Sequence, residues 1–200
     1  MKIIVKFHIH DVAPISIWND GGSGGDHDFS CYGPSGTSSE YFAISRFGTG
    51  SYGKPQKTYV VSVSGASTND TFQKPTGYSR IYKDSGSGAT LDGSFWSVSC
   101  PAGYGSLSDV CIKGYSQPPL DAIWCVEETY LEADHHDKWI WNDVGSGAWS
   151  DCEINGGRSE LTKEFIGVTN GGKKTLKKIA NKYLDYLGKN RKFKVLKTHV

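Results

Sequence analysis

The chain has a single methionine in 200 residues, and no apolar run approaches the roughly 18 residues that a membrane-crossing helix needs. No Gly-x-Ser-x-Gly elbow precedes a helical pattern, so Ser-His-Asp hydrolysis has no foothold. Its Gly-Ser-Gly phrases are never followed by Lys-[Ser/Thr], which excludes a phosphate loop. The N-terminal stretch Met1–His10 has too little apolar length and no small-residue cleavage site for a secretory signal. It implies cytoplasmic residence, or release without a classical signal peptide. Cysteines are few and odd in number, at 31, 100, 111, 125 and 152, without metal-type spacing. They read as reduced thiols packed as small hydrophobes, the alternative being a partial disulfide framework with Cys100 joined to Cys111.

What is present is glycine, 25 residues of it, and 12% aromatics, the composition of a turn-rich, aromatic-packed β protein. Two hundred residues suffice for one domain, and residues 1–200 are read as such. Val5, Phe7 and Ile9 alternate with Lys6, His8 and His10, which predicts an opening strand with one buried face and both histidines on the other.

One phrase is written three times: Trp18-Asn-Asp20-Gly-Gly-Ser-Gly-Gly-Asp-His-Asp28, Tyr82-Lys-Asp84-Ser-Gly-Ser-Gly-Ala-Thr-Leu-Asp92 and Trp141-Asn-Asp143-Val-Gly-Ser-Gly-Ala-Trp-Ser-Asp151. The marker aspartates are 64 and 59 residues apart, and repetition on that scale predicts an approximately threefold object. An aromatic-led segment follows each copy (41–44, 104–107, 165–168), then a Gly-containing turn, then a β-rich run (57–63, 121–126, 192–196). The units fall at about 1–66, 67–131 and 132–200.

Each copy reads as a tight reversal. Asp accepts hydrogen bonds from amides two residues on, and glycine takes positive φ without strain. That is one reading of the loops. The other is a ligand site: equivalent loops of a threefold β assembly cluster at one end, where Asp20, Asp28, Asp84, Asp92, Asp143 and Asp151 accept from sugar hydroxyls. Trp18, Tyr82 or Trp141 would then stack on a pyranose face. The partner is a carbohydrate or glycoconjugate. No cofactor is implied, although the paired aspartates make calcium the alternative occupant, short of its usual six to eight oxygens. On this reading Asp143→Ala or Asp84→Ala removes binding and spares the fold.

The third unit carries extra residues. Leu176, Ile179, Ala180, Tyr183, Leu184 and Leu187 have helical spacing, predicting an amphipathic helix over 173–187 stopped by Gly188. Residues 171–200 hold ten Lys/Arg against Asp185 alone, leaving −8 on residues 1–170. The stripe packs on the β assembly, or Lys173, Lys174, Lys177, Lys178 and Lys182 meet anionic membrane, or the basic segment docks on the chain's own acidic surface. Nucleic acid is not expected, since the acidic remainder repels phosphate. Glu132-Ala-Asp-His-His-Asp137 concentrates ligand types but reads as a solvated loop.

Ile140-Trp-Asn-Asp-Val-Gly-Ser-Gly-Ala148, Ser87-Gly-Ala-Thr-Leu-Asp-Gly-Ser-Phe-Trp96 and Pro101-Ala-Gly-Tyr-Gly-Ser-Leu-Ser-Asp-Val110 resemble the vacuolar-protein-sorting "sixty-two" family of fungal and plant proteins. They are also similar in style to the β-prism domain associated with multivesicular-body subunits. The middle unit, 78–126, matches most fully. The first lacks the Pro-x-Gly-Tyr step and second tryptophan, and the third has Ile154 near where that tryptophan falls. The resemblance implies a β-prism, with a β-trefoil-like arrangement as the alternative, and a shape used by lectins, acidic-lipid binders and targeting domains of toxins. It supplies no catalytic residues. The reading is therefore an all-β, pseudo-threefold module with one late helix: a binder and not an enzyme, first lectin-like, then membrane-associating, or an intracellular sorting domain.

Overall fold

The computed structural model describes residues 4–55, 58–170 and 173–185. In chain order its strands are β1 (Lys6–Val12), β2 (Pro14–Asn19), β3 (Ser30–Pro34), β4 (Phe47–Thr49), β5 (Thr58–Ser64), β6 (Phe72–Gln73), β7 (Gly77–Lys83) and β8 (Gly93–Ser99). There follow β9 (Tyr104–Gly105), β10 (Val110–Lys113), β11 (Cys125–Glu127), β12 (Leu131–Asn142), β13 (Glu153–Gly157), β14 (Gly167–Thr169) and β15 (Lys174–Ile179). One helical turn, Thr68–Thr71 capped by Ser67, and two 3₁₀ turns complete the described elements. The fold is nearly all β.

The repeated phrase is the turn of a hairpin in every unit: β2–β3, β7–β8 and β12–β13. The second strand of each hairpin also pairs with one short strand, giving the equivalent orders β2-β3-β4, β7-β8-β10 and β12-β13-β14. Each first strand carries a register shift just ahead of its turn, between Ser16/Trp18, Arg80/Tyr82 and Trp139/Trp141. The skipped residue is an isoleucine in all three, Ile17, Ile81 and Ile140. A bulge breaks the strict alternation of faces and re-aims the next side chain. Here it delivers Trp18, Tyr82 and Trp141 into one shared cluster with Phe29, Phe95 and Ile154.

Beneath that cluster a second forms around Phe7, Phe42, Phe47, Phe72 and Phe165. It is closed by the β1–β5 pair, by β6-β11-β9, and by β15 along the first half of β12. Phe42 stacks on Phe72 at 4.1 Å and Phe47 meets Phe165 edge-on at 5.5 Å, so this end too is built across units.

Several expectations change. Residues 173–185 form no helix: 174–179 is a strand against β12, followed by the 3₁₀ turn Asn181–Tyr183, and the rest of the expected helix lies outside the described residues. The reason is tertiary. β12 runs past its hairpin and leaves backbone groups to be paired, and that ladder outweighs a weak helical propensity. For the same reason Glu132–Asp137 is strand and not loop. Tyr41–Ile44 makes a single bridge, Phe42 to Val61, in place of a strand, and the run 192–196 lies outside the described residues. The opening strand is as expected, with His8 on Ser64 Oγ and His10 on Ser62 Oγ, both at 2.8 Å.

Cysteine pairing also differs. Cys31 bonds Cys111, which joins the first two sheets through the core, and Cys100 bonds Cys125, with Cys152 free and buried. Cα separations of 6.6 and 5.9 Å are within disulfide reach, whereas a Cys100–Cys111 bridge does not form.

Candidate functional site

The three turns are near-copies in backbone. The marker aspartate's amide donates to the carbonyl nine residues on, from Asp20 to Phe29, Asp84 to Gly93 and Asp143 to Cys152, at 3.1–3.2 Å. The reciprocal amide donates to the aspartate Oδ1, at 2.8, 3.0 and 2.8 Å. Each aspartate carbonyl accepts from the serine three residues on, and each serine Oγ accepts from the amide two further. The bend needs positive φ at two glycines per turn, for example Gly86 at 91° and Gly88 at 75°.

The turns then close on one another as a ring. Asp26 N donates to Val144 O at 2.9 Å, Trp149 N to Ser85 O at 3.2 Å, and Thr90 N to Gly21 O at 2.8 Å. Donor and acceptor occupy the same repeat positions each time, so every turn reaches one neighbour and is reached by the other. The aromatics run round the ring in the opposite sense, so each turn is tied to both neighbours twice. Trp18 Nε1 donates to Leu91 O at 2.8 Å, Tyr82 hydroxyl to Asp143, and Trp141 Nε1 to His27 O at 2.8 Å and Asp20 Oδ2 at 3.1 Å.

This placement corrects the expected site. Trp18, Tyr82 and Trp141 are no more than 2% exposed, so none faces a sugar ring. They are core residues whose polar edges fasten the neighbouring turn. Asp20, Asp84 and Asp143 are buried as well, and their carboxyls are pushed above the usual range, first by burial and against the amide bonds they accept. Asp28, Asp92 and Asp151 are exposed. Tyrosines unnoticed in the sequence join two of the pairs. The Tyr52 hydroxyl interacts with Asp20 and Asp28, and Tyr115 hydroxyl lies 2.8 Å from Asp84 Oδ1 and 3.2 Å from Asp92 Oδ1. Partial burial and the two carboxylates push the Tyr52 phenol up to about 12. A hydroxyl thus occupies the place a calcium ion would take in those two turns, and the described residues hold no group of three metal-ligating side chains.

Four lysines in the described part of the basic segment pair with the chain's own acidic residues. Lys174 Nζ lies 2.5 Å from the buried Asp109 Oδ2, Lys178 3.3 Å from Glu132 and Lys173 3.8 Å from Asp137, and Lys177 pairs with Glu128. Lys182 lies over the Tyr183 ring at 4.9 Å. Burial raises the Asp109 carboxyl while Lys174 opposes that rise.

At the tip of the ring the open surface is different from that expected. Trp149 is 80% exposed, backed by Gly86 and by Lys83, whose ammonium lies 5.6 Å from the indole centroid. Val144, on the same turn, is 57% exposed, and half-open Trp139 meets His27 edge-on at 5.0 Å. Trp149, Asp26 and Thr90 occupy one repeat position. A tryptophan at a variable, solvent-facing turn position was the available signal.

The pattern of the family described as vacuolar protein sorting-associated protein 62 matches residues 5–172, from β1 past β14. No curated protein matches the chain. Among solved structures, the crystal structure of GNIP1Aa from Chromobacterium piscinae superimposes with a TM-score of 0.71 at 21% identity. The likeness covers 85% of this chain and 33% of that one, so the chain spans about a third of that protein's length. At that identity the shared property is the fold.

Proposed function

We propose, for a chain that belongs to the vacuolar protein sorting-associated protein 62 family, a non-enzymatic module that binds carbohydrate at the ringed end of a β-prism. The three equivalent sheets are its walls and the three turns its binding end. The observation that carries the reading is Trp149. A tryptophan 80% exposed at the tip of a rigid hydrogen-bonded ring, among open carboxylates, is a preformed platform for the apolar face of a pyranose, with acceptors for its hydroxyls. The ring fastens the turns on both sides, so binding costs little ordering.

Two disulfides fit an oxidising environment better than the cytoplasm, which favours release from the cell. Membrane attraction through the lysines has less support, because Lys173, Lys174, Lys177 and Lys178 are each paired with a carboxylate. The test is a glycan array with purified protein, in calcium and again in chelator. Specific binding that Trp149→Ala weakens about tenfold or more is expected, with no loss in chelator. A blank array in both buffers overturns the reading.

A further inference from the structure

The turns share a backbone but not what stands between their two aspartates. In the first, the Tyr52 hydroxyl interacts with both Asp20 and Asp28. In the second, Tyr115 hydroxyl stands between Asp84 and Asp92. Tyr52 comes three residues after β4 and Tyr115 two after β10, whereas the sequence after β14 reads Asn170-Gly-Gly-Lys and supplies no aromatic there. Asp143 keeps the Cys152 amide and interacts with the Tyr82 hydroxyl, but among the described residues no hydroxyl joins it to Asp151 and none hydrogen-bonds the Asp151 side chain. Asp143 is also the least buried of the three markers, 6% exposed against 2% for Asp20 and 4% for Asp84.

We infer that the third turn is the one ligand site of the ring, and that hydroxyls of a neutral sugar take there the place that tyrosine hydroxyls fill in the other two. This rests on the carbohydrate reading above and narrows it. A phenol brings one proton to two carboxylates, whereas a vicinal diol brings one to each, which suits Asp143 and Asp151 together. Trp149, two residues before Asp151, supplies the flat apolar contact on the same turn. Asp143 and Asp151 repel a carboxylate or sulfate brought to them, and Lys83 is over the Trp149 ring and not between the two carboxyls, so uronic, sialic and sulfated sugars are disfavoured. Tyr52 and Tyr115 act as built-in occupants that leave one site of three.

The experiment is titration calorimetry on the full chain with methyl α-mannoside, methyl β-galactoside and N-acetylglucosamine, and with glucuronic and N-acetylneuraminic acids. At least one neutral sugar binds with one equivalent per chain and neither acid binds. Asp151→Ala and Trp149→Ala weaken binding at least tenfold, with unchanged melting temperatures because both residues are exposed. Asp28→Ala and Asp92→Ala leave it unchanged. If Asp28→Ala or Asp92→Ala removes binding while Asp151→Ala does not, or if two or three equivalents bind, the third-turn assignment fails and the carbohydrate reading stands. If no sugar binds here and the array is blank, both fail.

Discussion

Replacing Trp141 by Phe separates a core aromatic from a ligand-facing one. Trp141 is 1% exposed, and its Nε1 donates to Asp20 Oδ2 at 3.1 Å and to His27 O at 2.8 Å. Phenylalanine removes both bonds. The bond to the carboxylate is worth about 1.5–3 kcal/mol, more so because Asp20 is itself buried and left short of a donor. The smaller ring leaves a void beside Phe29, whose centroid is 5.2 Å away, adding about 1 kcal/mol. A loss near 3 kcal/mol is expected (about 3, within a factor of two), which lowers the melting temperature of a domain this size by roughly 6–12 °C. Trp149→Ala, on the same ring but exposed, should shift stability by no more than about 0.5 kcal/mol. Urea unfolding followed by circular dichroism measures both. Trp141→Phe within about 1 kcal/mol of wild type would refute the account of the aromatics as fasteners between turns.

Two further outcomes follow from buried charge. Lys174→Ala leaves Asp109 buried without its cation and should cost about 3–5 kcal/mol in the same assay, whereas Lys173→Ala, breaking an exposed pair, should cost no more than about 0.5; equal effects would contradict the docking of this segment. For pH, Asp84 has a folded carboxyl raised above 3.8, first by burial, so its contribution to stability is present at acid pH and is lost as pH rises through the folded value. Asp84→Asn keeps an acceptor for the Gly93 amide and abolishes that loss, so its stability relative to wild type should improve from pH 4 to pH 7; a relative stability that falls over that range in thermal melts would reverse the sign of the argument.

The repeat was legible because it is local: a turn that needs Asp, two positive-φ glycines and Ser at fixed offsets writes them three times. The direction of the neighbouring aromatic was not, because a bulge at Ile17, Ile81 or Ile140 leaves no mark on period-2 alternation beyond an isoleucine that is unremarkable alone. From sequence alone Trp18, Tyr82 and Trp141 therefore fit a ligand face as well as a core, and the structure places them in the core. The segment at 174–179 read as helix because helical spacing is a property of the segment, whereas its strand state is decided by β12, some 40 residues earlier. The mutual pairing of Cys31 with Cys111 is equally non-local, joining residues 80 apart. Tyr52 and Tyr115 carried a faint signal, each following the short third strand of its unit, visible only once the strands were placed.

Had the marker aspartates been open acceptors, Asp84→Ala would remove binding and spare the fold. Each instead closes its own turn with two backbone bonds, and Asp20 and Asp143 hold a neighbour's aromatic as well, so their loss loosens the ring before it touches a ligand. Repetition therefore marks the scaffold, where all three turns must agree for the ring to close. On the proposed reading, what singles out the third turn lies where the turns disagree: Trp149 against Asp26 and Thr90, and Asn170-Gly-Gly against the two tyrosines, with Asp143 serving both scaffold and ligand. A single site on a ring of three like turns is consistent with the way the ring closes, because the bonds between turns at Asp26, Thr90 and Trp149 are made by main-chain amides and leave those side chains to vary.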